Sequence, residues 1–353
     1  MEKHVRKQSL DLLRTLAIFS VLFMHATEQI YPLTVAGVSG LSTVSQLFVL
    51  LGLAVGRLGV PFFLMLTGYL LLPRWYDEKS CVLFWKKSLL PLIAVTAFWN
   101  AIYFLFTIVF YQSDFALFPF LKEILFLKPQ SLIHMWYMAM IIGIYLFIPL
   151  ISMLLEKIST RLLLVPMLVG TVCLVCVPSA DSFLQLCGKG GIQNQIALDF
   201  SGSYYGLYLL IGYLFSKYNY GKRVSGGFLS LGIVSVAATV FYTWLQARHG
   251  MDFNFWYNFF GVFAAAVGIF GAFVCLPRIP FNKVFCHISK HSFGIYILHL
   301  PLQMLLLKWV PLPHNNPFSV LCMWLLPLLV SDLVVAGISK IPKVGKWLFL
   351  TKA

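Results

Sequence analysis

Acidic side chains are scarce in this chain. Twelve Asp and Glu stand against 26 Lys and Arg in 353 residues, and charged residues make up only 11% of the total. A soluble domain carries roughly 25% charged residues, so that class is excluded. With 60% hydrophobic residues and a mean hydropathy of +0.86, the chain reads as an integral membrane protein. Long polar stretches are also lacking: no low-complexity linker, no internal repeat and no loop long enough for a separate soluble domain. One membrane domain over residues 1–353 is the expectation. Cysteines number seven, and only Cys187 falls in an outer loop, which excludes an external disulfide framework within the chain. Cys173 and Cys176 have CxxC spacing, but inside an apolar run, where thiols pack as small apolar groups. The net charge of +14 would suggest a nucleic-acid partner in a soluble chain; here membrane topology accounts for it first, and no nucleic acid is expected.

What is abundant is apolar sequence in lengths near the roughly 20 residues that a spanning helix needs. Ten such stretches occur, at 10–31, 46–72, 89–111, 132–155, 162–177, 203–216, 226–246, 256–276, 292–310 and 317–339, the fifth and sixth being short. The fold class is therefore all-α and polytopic. Short cytoplasmic loops are enriched in Lys and Arg. With the N-terminus inside, nineteen of the 26 basic residues fall in inner segments and five in outer ones, Arg14 and Arg57 lying within spans. Both termini are expected in the cytoplasm. The first span begins like a signal peptide, yet Asp11 and Arg14 interrupt its apolar run and no convincing cleavage site follows, so it reads as a permanent helix.

Function is then sought in ionisable residues that stay in the membrane, each costing about 2.5–3.5 kcal/mol to insert unless paired or hydrated. Asp11, Arg14, His25 and Glu28 share one face of the first helix at about 100° per residue. Arg14 and His25 are about 16.5 Å apart along the axis. A polar stripe thus crosses most of the bilayer. The plain alternative is that Asp11 with Arg14, and His25 with Glu28, are i,i+3 pairs that only neutralise each other. Arg57, deep in the second span, is a second buried cation needing its own partner, either an anionic ligand or a carboxylate such as Asp11 or Glu28.

Four segments carry a resemblance. LDLLRTLAIFSVLFMHA holds Arg14 and His25 in an R-x10-H pattern; RLGVPFFLMLTGYLL follows from Arg57, HMWYMAMIIGIYLFIPL from His134 and SFGIYILHLP from Ser292. In this order, and with ten spans, the chain resembles the bacterial acyltransferase-3 membrane proteins, and is most similar to the branch that O-acetylates surface polysaccharides such as enterobacterial common antigen. The extra hydrolase-like domain that some members carry is not expected here. The resemblance implies transfer of an acyl group, usually acetyl, from cytoplasmic acyl-CoA to a hydroxyl of a cell-surface or lipid-linked glycan, in the inner (plasma) membrane. Acyl-CoA would be a co-substrate, with no bound cofactor.

Within that expectation His25 is the general base, since a neutral imidazole can remove a hydroxyl proton near pH 7. Glu28 would orient it and stabilise the imidazolium. Arg57 would bind donor or stabilise the oxyanion. Arg14, with Asp11 beside it, and the pair Lys86 and Lys87 would bind the donor's phosphate or pantetheine region, although Lys86 and Lys87 also fit ordinary positive-inside anchoring. His134, Trp136 and Tyr137 at the outer end of the fourth span are acceptor-side residues, the two aromatics fitting an interfacial belt equally well. His299 is expected in the inner half of the ninth span, structural or donor-side, with Asp332 pairing with it or with His134.

Three intramembrane histidines also raise a zinc site. The expected separation of His134 and His299 opposes it, and no metal is expected. An acceptor surface is sketched by Asp181, Gln185, Gln193, Asn194, Gln195 and Asp199 in one outer stretch, and by DFNFWYN from Asp252 in the next. A solvated loop with an aromatic girdle fits the same residues. The rival reading is a transporter or flippase of a glycan or acyl intermediate, which predicts repeated halves with broken helices.

Overall fold

The computed structural model describes residues 7–198, 202–218, 222–253, 256–276 and 280–351, and among them there is no strand. The first span is α1 (Gln8–Ile30). A short α2 (Val35–Ser39) leads to the second span, which is two helices, α3 (Thr43–Gly56) and α4 (Gly59–Leu71). The third joins α5 (Glu78–Phe84) to α6 (Leu90–Tyr111) through one π-helical turn, Trp85–Leu89. After α7 (Leu117–Ile124) a 3-10 turn, Ile133–Met135, opens α8 (Trp136–Lys157). A second π turn, Val172–Cys176, links α9 (Thr160–Thr171) to α10 (Val177–Leu186). There follow α11 (Ser203–Lys217), α12 (Lys222–Arg248), α13 (Phe260–Val274), α14 (Asn282–Trp309), α15 (Pro317–Ser339) and α16 (Pro342–Phe349). Seven of the described helical stretches are long and apolar enough to cross a membrane. The other three expected spans are α11 and α13, with 15 residues each, and α14, whose first turns are polar.

Three expected boundaries are wrong by a physical margin, the third span beginning at Glu78 and not at 89. The fifth span is not a short helix over 162–177 but runs Thr160–Leu186; its π turn shifts the register directly before Pro178, whose missing N–H falls where the regular ladder is already interrupted. The ninth does not begin at 292. It begins at Asn282, because Lys283, His287, Lys290 and His291 resemble a loop in composition while lying on the first turns of a long helix.

α1 is the central post. Of its most apolar stretch 72% is buried, against 17% for α12 at the periphery. Leu13, Ile18 and Leu22 of α1 are fully enclosed and join a core with Phe62 and Leu64 of α4, Phe270 of α13, and Ile295 and Ile297 of α14. Outward, Leu146, Leu150, Leu154, Leu162 and Val165 are exposed, an apolar surface suited to hydrocarbon. Lipid supplies no hydrophobic drive between helices, so close packing and interhelical hydrogen bonds carry the association. α14 lies parallel to α1, as the early residues of one meet the early residues of the other and late meet late: Thr15 Oγ1 to the Phe285 carbonyl (3.1 Å) and Arg14 Nη1 to Ser289 Oγ (3.0 Å), then Gln29 Nε2 to Gln303 Oε1 (2.9 Å). Gln303 also donates to the carbonyls of Leu22 and Met323, at 3.1 and 3.0 Å. One buried amide thus ties α1, α14 and α15.

The break in the second span sets Arg57. The side chains of Gly56 and Gly59 are absent where α1 presses closest: a Cβ on Gly56 would meet Met24, and one on Gly59 the Ala17 carbonyl. Pro61 lies in the first turn of α4, where its missing N–H has no helical partner to lose. Arg57 caps α3 at this joint.

Candidate functional site

Two cavities lie along α1. The inner one, about 380 Å³, is lined by Arg14, Thr67, Arg74, Tyr145, Ser292 and Phe63 among others. The outer one, about 70 Å³, contains His25, Glu28, Arg57, His134, Trp136 and Trp256. The stripe expected from the spacing on α1 is therefore divided between two chambers, with Arg14 in the first and His25 in the second.

In the inner chamber Asp11 is buried, and Ser289 of α14 donates to its Oδ1 at 2.7 Å. Arg14 Nη1 donates to the same Ser289 hydroxyl at 3.0 Å and stands 3.9 Å from Asp11 Oδ1. Asp11 and Arg14 thus form the expected pair, bridged by a hydroxyl from a neighbouring helix, and the guanidinium keeps a face on the cavity. Arg74, from the turn after α4, lines the same chamber. Its Nε donates to the Leu70 carbonyl at 2.9 Å.

In the outer chamber His25 Nδ1 lies 2.8 Å from Glu28 Oε2. With Nδ1–H donating to the carboxylate, an assignment that follows from this partner, the lone pair of the neutral ring is on Nε2. The Arg57 guanidinium stacks over Trp256, 4.3 Å from its ring centroid, with Tyr257 at 5.5 Å. Trp136 faces Tyr205 and Tyr257 at 6.1 and 6.0 Å between centroids. Aromatic side chains of α8, α11 and the segment before α13 thereby meet at the mouth of the chamber. Trp256 is 44% exposed. Their rings turn toward one another and Arg57, which a lipid-facing belt alone would not require.

His299 is not in the inner half of its span. Its ring lies 5.4 Å from that of His25 and 5.1 Å from that of His134. It is as many residues from the start of α14 as His25 is from the start of α1, and the two helices run parallel. The separation argument against a three-histidine metal site is thereby withdrawn. Among the described residues, however, the group of three whose ligand atoms all lie within 4.8 Å of one another is His287, His291 and Asp332. His299 Nδ1 is paired with the Tyr296 carbonyl at 2.6 Å, while its Nε2 and both ring nitrogens of His134 are buried with no hydrogen-bond partner among the described residues. His134 is 1% exposed, so it lines the chamber from within rather than standing at an open outer surface.

Asp332 pairs with neither His134 nor His299. It bonds His287 Nε2 at 2.9 Å and His291 Nδ1 at 2.7 Å, two imidazoles one turn apart on α14. Lys86 and Lys87 sit on the π turn, exposed, and line neither cavity. In the acceptor stretch, Asp181 accepts from the Gly191 and Ile192 amides at 2.7 and 2.9 Å and from Gln185 at 2.6 Å. Asn194 bonds the Ile196 backbone. These groups fold their own loop. Asp199, Asn254 and Phe255 lie outside the described residues.

Arg74, Ser289, Tyr145 and Tyr296 were not singled out by the sequence, and neither was Glu123. That fully buried carboxylate accepts from the Ser131 amide and hydroxyl, both at 2.6 Å, and pairs with Lys128 at 2.9 Å. It thereby fixes the turn that delivers His134. Its one available signal was an acid in the mostly apolar stretch 115–127, directly after Lys122.

A many-helix membrane protein with a carboxylate-supported imidazole in an enclosed chamber has the elements of an enzyme that moves an acyl group. Its sequence matches the family described as an acyltransferase domain over residues 7–336, and the chain belongs to this acyltransferase-3 family. No curated protein and no solved structure matches it.

Proposed function

We propose that this acyltransferase moves an acetyl or other short acyl group from acyl-CoA on the cytoplasmic side of the inner (plasma) membrane to a hydroxyl of a cell-surface or lipid-linked glycan. The observation that carries this reading is the His25–Glu28 pair at 2.8 Å in a chamber that adjoins a cationic inner cavity along α1. The donor's pantetheine arm lies in the inner cavity, with Arg14 and Arg74 toward its polar end. The acceptor hydroxyl meets His25 in the outer chamber, where the aromatic mouth suits the apolar face of a sugar ring.

His25 Nε2 takes the hydroxyl proton as the oxygen attacks the thioester carbonyl, and Glu28 stabilises the imidazolium. Arg57 neutralises the developing oxyanion. On collapse the C–S bond breaks, the thiolate takes the proton back from Nε2, and ester and free thiol leave with no net proton change. Acyl-CoA is a co-substrate, and no step requires a bound cofactor or metal. The test is purified protein in nanodiscs supplied with acetyl-CoA and candidate glycans. Equimolar thiol release and glycan O-acetylation are expected; thiol release without any modified glycan or lipid-linked saccharide would overturn the acceptor assignment.

A further inference from the structure

The two cavities have two lining residues in common, Tyr137 and Tyr296. Their rings meet edge on, with centroids 5.7 Å apart, and stand between the Arg14 side and the His25 side. They are held very differently. Tyr296 lies within α14; its hydroxyl donates to the His134 carbonyl and its own carbonyl is paired with His299 Nδ1 at 2.6 Å. Tyr137 is the second residue of α8, directly after the 3-10 turn. It is 9% exposed and packs on Phe63 at 6.0 Å between centroids. No hydrogen bond to a described residue restrains its hydroxyl. One ring is bolted and the other is held by packing alone.

An arm that fills the inner cavity cannot bring its end to His25 unless this wall opens. The outer chamber, at about 70 Å³, holds only a few water-sized groups. We propose that Tyr137 is the positioning residue of this passage: its ring swings aside to admit the acyl end of the donor thioester, and otherwise shuts the outer chamber against water from the inner cavity. Tyr296 is the fixed post against which it closes. This rests on the acyltransferase reading for the identity of the arm, but the wall itself is a matter of access. Exclusion of water matters because a thioester beside a general base is open to hydrolysis.

Access can be measured without turnover. Val60 lines the outer chamber only. In a background with the seven native cysteines replaced, Val60→Cys is exposed to a small impermeant thiol reagent from the N-terminal face in sealed inside-out vesicles. Labelling should be slow with Tyr137 and with Tyr137→Phe, because the ring and not the hydroxyl is the barrier. With Tyr137→Ala, or with Tyr137→Leu should the alanine variant fail to fold, it should be at least tenfold faster. Equal rates in the parent and in a folded small-side-chain variant would overturn the proposal. In parallel, acetyl-CoA hydrolysis without acceptor should rise in the same variant relative to transfer. A parent protein that consumes no acyl-CoA would defeat the acyltransferase reading, while the labelling would still decide the wall.

Discussion

α1 carries two acid–base pairs with the same spacing, Asp11 with Arg14 and His25 with Glu28, and they have become different devices. The inner pair is loose, at 3.9 Å, and is drawn together by the Ser289 hydroxyl of α14. Its carboxylate is 4% exposed at the side chain while the guanidinium, at 29%, faces a cavity. The outer pair is tight, at 2.8 Å, with its carboxylate 33% exposed. In the first, a buried acid aims a cation at whatever enters; in the second, an acid sets the tautomer of a base. Spacing along a helix brings partners together, but the neighbouring helices decide which partner faces the cavity.

The sharpest way to break this contrast is to remove the base. His25→Gln should lower transfer by about 10²–10⁴-fold with donor binding nearly unchanged, because glutamine hydrogen-bonds but cannot take the proton; turnover and acyl-CoA binding in nanodiscs read both quantities. Next is Arg14→Ala, which removes a charge-assisted contact worth about 1.5–3 kcal/mol. It should raise the donor KM at least about tenfold. Lys86→Ala with Lys87→Ala should leave that KM within about twofold, since neither lysine reaches the cavity. An unchanged KM in Arg14→Ala with activity lost would make Arg14 structural or catalytic instead. Glu28→Gln is expected to lower kcat roughly tenfold, below the range for loss of the base itself, with the donor KM little moved.

A different test concerns how the outer chamber is supported. Glu123→Ala strips a buried carboxylate from Ser131 and Lys128. It should cost about 3 kcal/mol of stability, as for other buried pairs broken on one side. Thermal unfolding in detergent reads this, and a shift within error would mean that the turn bearing His134 is held by packing alone.

The α1 stripe was legible because four polar residues on one continuous helix need no tertiary information to share a face. Arg57 was legible as a buried cation, but not its stacking on Trp256, which requires α3 and the segment before α13 to meet. His299 was misplaced because the polar start of α14 resembles a loop, and a helix beginning ten residues earlier carries every later residue deeper into the bilayer. Asp332 was assigned to the wrong imidazoles for the same reason, since His287 and His291 were not yet on a helix beside it. Arg74 and Tyr296 became visible only as walls of cavities, which no spacing rule reports.

The most direct test of the division of labour is to add His25→Gln to Glu28→Gln and, separately, to Arg14→Ala, measuring residual transfer and acyl-CoA binding in each. If Glu28 acts through His25, Glu28→Gln should cost nothing further once the base is gone, whereas the loss of donor affinity from Arg14→Ala should persist undiminished. A Glu28→Gln penalty of the same size in both backgrounds, or an Arg14→Ala effect on binding that vanishes with His25, would contradict the account.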